Sequence, residues 1–118
     1  MKKITALCTF LLLTLTSYSQ ISPIGGKWWG ILDVGGRKLT IGFDINANEG
    51  QGFMEVKEQG AKGIPMDVRK VTADSLDILI SSIGASYSGI RVAQDKIDGT
   101  FTQSGMKLAL SLQPGEIP

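Results

Sequence analysis

Two serines stand in patterns that resemble nucleophile motifs. Ser86 lies in Gly84-Ala85-Ser86-Tyr87-Ser88, close to the G-x-S-x-G of an acyl-transfer elbow, and Ser104-Gly105-Met106-Lys107 spells S-x-x-K. An elbow serine needs a helix behind it and a histidine to take its proton, and the 118-residue chain has no histidine. A serine–lysine pair needs a helical turn to set the amine above the hydroxyl. Here the same four residues read as a β-turn entering a strand. No catalytic residue is assigned.

Metal and phosphate chemistry fare no better. With no histidine and one cysteine, Cys8, zinc and copper lack their usual ligands. Asp44-Ile45-Asn46-Ala47-Asn48-Glu49-Gly50 places oxygen donors at alternate positions, as a calcium loop does. It lacks the flanking helices and the bidentate acid at the twelfth position, so it reads as a solvated hairpin loop. Gly60-Ala61-Lys62-Gly63 is too short for a phosphate loop and opens no helix. No metal or cofactor is expected, and the chain is read as non-enzymatic. Lys+Arg number 12 against Asp+Glu 11, a balance that argues against a nucleic-acid partner.

The elements that would position any site are strands. All 15 glycines follow residue 20, and they punctuate short runs of alternating polarity. Leu39, Ile41, Phe43 and Ile45 fall on one face of Arg37–Asn46, and Thr40, Gly42, Asp44 and Asn46 on the other. Eight strands are predicted: Lys27–Val34, Arg37–Asn46, Gln51–Lys57, Asp67–Thr72, Ser75–Ser81, Ala85–Val92, Lys96–Gln103 and Met106–Leu112. Gly35-Gly36 and Ser104-Gly105 supply two-residue turns. Glu58–Pro65 reads as the longest break. No stretch after residue 20 carries a helical period.

An antiparallel up-and-down meander of this kind closes into a small lipocalin-like barrel, with a flat β-sandwich as the alternative. Closure would pair the first strand with the last and bury Met106, Leu108, Leu110 and Leu112. Strands this short leave an interior that side chains fill or nearly fill, so a large ligand cavity is not expected.

The start of the chain reads as a signal peptide. Lys2 and Lys3 precede an apolar run from Ile4 to Leu15, and Ser17-Tyr18-Ser19 supplies small residues before cleavage near Gln20. Twelve apolar residues fall short of the roughly 20 that span a bilayer, so no stable membrane span is expected after processing. The protein is expected to be exported, to the periplasm or the exterior. Cys8 would leave with the leader. The domain is expected over residues 21–113, with 114–118 a tail or the start of a linker.

Two surface features stand out. Trp28 and Trp29 are adjacent, so on a strand one faces the core and the other the outside, where it either packs under a loop, the favoured reading, or offers a contact surface. Gln59-Gly60-Ala61-Lys62-Gly63-Ile64-Pro65 reads either as a long turn or as a shaped loop that offers Lys62 to a partner. The candidate contact surface is therefore Trp28, Trp29, Gln59, Lys62 and Ile64.

These segments also form an ordered pattern. Gly26-Lys27-Trp28-Trp29-Gly30-Ile31-Leu32-Asp33, Leu39–Ile45, Gln59–Pro65, Ser82–Gly89 and Gly99–Gly105 together resemble the β-rich N-terminal domain of secreted bacterial serine hydrolases of the esterase and peptidase type. The resemblance spans about residues 25–113, and the Gln-Gly-Ala-Lys-Gly-Ile-Pro string carries most of its specificity. In that family an α/β-hydrolase domain follows and holds the catalytic serine, acid and histidine, none of which can be placed on this chain. The resemblance implies a non-catalytic accessory module, alone or as part of a longer serine hydrolase, with a hydrolase domain or another exported protein as partner. The alternative is a small lipocalin-like carrier holding an apolar ligand among Leu39, Phe43, Ile78 and Phe101.

Overall fold

Period-two patterning puts an apolar side chain on the same face at every second residue, and a sheet so built buries that face by curling on itself. The computed structural model describes residues 22–118. The predicted signal peptide and Cys8 lie outside the described residues. Eight antiparallel strands follow in order: β1 (Gly26–Val34), β2 (Arg37–Asn46), β3 (Gln51–Val56), β4 (Ala61–Val71), β5 (Ser75–Ile80), β6 (Ala85–Ala93), β7 (Lys96–Gln103) and β8 (Met106–Pro114). Each pairs with the next, and β8 returns to β1, so the sheet is a closed barrel and not a flat sandwich.

The hairpins follow from their turn residues. Gly35 and Gly36 have φ of 62° and 89°, and Ser104 and Gly105 have 51° and 83°. Two successive positive-φ residues match the right-handed twist of the flanking strands. Ser104-Gly105-Met106-Lys107 is therefore a hairpin turn and the start of β8. Ser86 lies within β6, with no helix behind it.

The seam is narrow. Trp28 stands opposite Pro114 and Trp29 opposite Gln113. Gly30 has no side chain where the Ser111 carbonyl crosses it, and a Cβ there would collide with that oxygen. The seam thus uses the end of β8, beyond the predicted limit at Leu112. Leu110 and Leu112 are fully buried, but Leu108 is half-buried and Met106 is 50% exposed, which corrects the four-residue expectation.

A second correction concerns the predicted break at Glu58–Pro65. Only residues 57–60 leave the sheet, as one 3₁₀ turn over Lys57–Gln59 that ends on left-handed Gly60, and β4 begins at Ala61. The ladder to β3 slips between Met54 and Val56, and Gly63 takes a φ of 66°, so the extra residue is absorbed as a bulge. Pro65 is tolerated because β4 meets β5 only from Asp67 onward, leaving its nitrogen no ladder bond to supply.

Large buried rings fill one half of the barrel. Phe43 and Tyr87 meet at 5.5 Å between ring centroids. Tyr87 Oη donates to the Leu110 carbonyl at 2.9 Å. Gly89 and Gly99, paired across β6 and β7, form the recess for the tyrosine ring.

Candidate binding site at the open end of the barrel

The two ends of the barrel differ. At one end the chain itself forms a plug. Ile24 is 1% exposed, and its N–H donates to the Thr72 carbonyl at 2.8 Å. Trp28 seals the same end, with its indole N–H donating to the Gly25 carbonyl at 3.1 Å. The Arg91 guanidinium stacks on that ring 5.5 Å from its centroid and donates to the Gln94 carbonyl at 2.7 Å.

The other end is open. A cavity of about 300 Å³ enters the barrel between the β1–β2 and β7–β8 hairpins. Its deep wall is Leu32, Ile41, Met54 and Phe101, all buried. Above these stand Val34, Leu39, Ile64 and Leu108, each half-buried, so the apolar lining continues towards water. Arg37, Gln59, Gln103 and Met106 form the exposed rim. The volume falls at the low end of the roughly 300–1,000 Å³ range of small-molecule sites.

Two short turns hold this mouth in shape. Lys57–Gln59 joins β3 to β4, and Ser81–Ile83 joins β5 to β6. Each closes on a left-handed glycine, Gly60 or Gly84, whose N–H returns to the first carbonyl of the turn at 3.1 Å. The last residue of each turn, Gln59 or Ile83, lines the cavity. The Glu58 carboxylate ties the first turn to β2, accepting from the Thr40 N–H and hydroxyl, each at 2.6 Å. Those bonds hold the Glu58 carboxyl below its ordinary value of 4.5. The Gln103 amide ties the second turn to β7, donating to the Ile83 carbonyl at 3.0 Å.

Phe43 and Tyr87 pack against each other outside the cavity lining. Burial raises the Tyr87 hydroxyl well above its ordinary range, and the Asp98 charge adds to that. A neutral phenol with its proton committed to a carbonyl is packing, not chemistry.

The predicted contact residues do not form one surface. Gln59 and Ile64 stand at the mouth. Trp28 is part of the plug, and Trp29 is half-buried on the outer wall beside the seam. Lys62 lies on the outer wall, within β4 and not on a loop, near Glu116 and Ile117. Of the four residues expected to hold an apolar ligand, Leu39 and Phe101 line the cavity, while Phe43 and Ile78 belong to the packed half. The cavity-lining residues Arg37, Ile83 and Gln103 were missed. The repeated string of one residue before Gly-Ala, at Gln59-Gly60-Ala61 and Ile83-Gly84-Ala85, is the signal that marks two of the mouth's residues.

Among the described residues, no group of three or more acidic, cysteine or histidine side chains could hold a metal ion. No described helix is long and apolar enough to cross a membrane. No protein-family model, curated protein or solved structure matches the chain.

Proposed function

We propose that this barrel is a non-catalytic binding module that takes one small apolar molecule into its open end. The observation behind the proposal is the asymmetry between the ends: Ile24 and Trp28 close one, and an apolar cavity of about 300 Å³ opens the other. At roughly 30 Å³ for each water-sized atom, that volume suits a ligand of about ten non-hydrogen atoms. Ligands of that size typically gain about 0.5–0.8 kcal/mol per atom, which places the dissociation constant between micromolar and submillimolar.

The sequence resemblance adds a setting to this reading. The module is exported, and it serves a secreted hydrolase domain or another exported protein, to which it presents or from which it receives the bound molecule. Ser86 and Ser104 take no part. The test is titration of the folded protein with octanol, small enough for the cavity, followed by amide chemical shifts. Saturable shifts at the cavity residues are the expected result. A flat response would mean a filled interior and leave the accessory role without a ligand.

A further inference from the structure

The rim of the cavity carries one sign of charge, and the strand register explains why. In the β1–β2 ladder Leu32 faces Leu39, Asp33 faces Lys38 and Val34 faces Arg37. Successive pairs alternate between the two faces of the sheet. The first and third pairs therefore belong to the cavity side, and Leu32, Leu39, Val34 and Arg37 all line it. The middle pair, Asp33 with Lys38, lies on the outer face, where opposite charges stand across from each other. The acids of the two adjoining turns are engaged elsewhere. Asp33 Oδ1 accepts from the Gly36 N–H at 2.8 Å, and both Glu58 oxygens are held by Thr40. Among the described residues, Arg37 is the one charged residue lining the cavity.

We infer, on the binding role proposed above, that the ligand is an anionic amphiphile, a hydrocarbon chain of about eight carbons ending in a carboxylate. The tail lies on Leu32, Ile41, Met54 and Phe101, and the head sits at the rim against the Arg37 guanidinium. An arginine offers five N–H donors in a planar fork and no acceptor, which suits a carboxylate and repels an ammonium. The chain length follows from volume: an eight-carbon carboxylate has about ten non-hydrogen atoms, the number the cavity admits. A longer acid must leave its surplus in water.

Titration of the full folded chain, followed by amide chemical shifts of the cavity residues, tests this with three molecules of equal tail: octanoate, octanol and octylammonium. Octanoate is expected to bind about tenfold more tightly than octanol, and octylammonium most weakly, as a charge-assisted bond at a partly wet rim implies. Arg37→Gln should abolish the preference of octanoate over octanol while leaving octanol unchanged. Lys38→Gln, which removes the same charge from the outer face, should retain it. Equal binding of octanoate and octanol to the wild type would overturn the anionic assignment and leave the apolar pocket standing. So would a preference that survives Arg37→Gln. Failure of all three to give saturable shifts would overturn both the pocket and its ligand class.

Discussion

Single residues set how full the barrel is. Tyr87 fits only because Gly89 and Gly99 leave its ring room, and a Cβ on Gly89 would come within 2.8 Å of Tyr87 Cε2 and of an Ile97 methyl. Gly89→Ala should therefore cost about 1–3 kcal/mol by overpacking. In a Tyr87→Leu background the added cost should fall by at least half, because the smaller side chain vacates the recess. Thermal melts of the four proteins check this, and strict additivity would show that the ring and the glycine do not compete. Glu58 makes a prediction about pH. Its carboxyl is depressed in the folded state, so its contribution is present above its ordinary value of 4.5 and is lost as the pH falls through the lowered one. The gap in melting temperature between wild type and Glu58→Gln should be widest near neutrality and should close in acid. A gap that stays constant to pH 3 would mean that the Thr40 bonds do not depend on the charge.

At the scale of elements, the sequence was most legible where local geometry decides. Gly35-Gly36 and Ser104-Gly105 need nothing beyond their own dihedral angles to turn a hairpin, and Arg37–Asn46 and Lys96–Gln103 have the predicted limits. It was least legible at the start of β4. Gly60, Gly63 and Pro65 ordinarily punctuate loops, yet here one glycine ends a turn, the other fills a bulge and the proline sits where β4 has one neighbour. Those roles depend on where β5 stops, which no local pattern carries. The mouth is hidden for the same reason: Arg37, Gln59 and Gln103 come from three separate connections and meet only when the sheet closes. The closing element is β8. Deleting Met106–Pro118 removes the buried Leu110 and Leu112, about 3–6 kcal/mol of burial, and leaves β1 and β7 as open edges. Small domains hold only about 5–15 kcal/mol in total, so residues 22–105 should not fold cooperatively. A sharp melt close to the parent's, followed by circular dichroism, would show that the barrel does not rely on its seam.

On the scale of the whole molecule, the barrel has a polarity: a plug, a packed half, an apolar half and a rim. The chain is laid along that axis in a particular way. Residues 22–25 cross the plugged end, where Ile24 is fixed to Thr72. After β8 has run back to that same end, the last residues turn and climb the outer wall. The Gly115 N–H donates to the Lys27 carbonyl at 2.8 Å, Glu116 pairs with the Lys27 ammonium at 2.6 Å, Ile117 rests over Gly42, and Pro118 accepts from Lys57 at 2.8 Å. Lys57 belongs to the turn that shapes the mouth. The two ways of handling this protein are consequently not equivalent. Anchored to a bead or sensor chip through an extension before Ser22, it would present the cavity outward, unobstructed. A bulky fusion joined after Pro118 would start beside the rim and screen the cavity from bulk solvent.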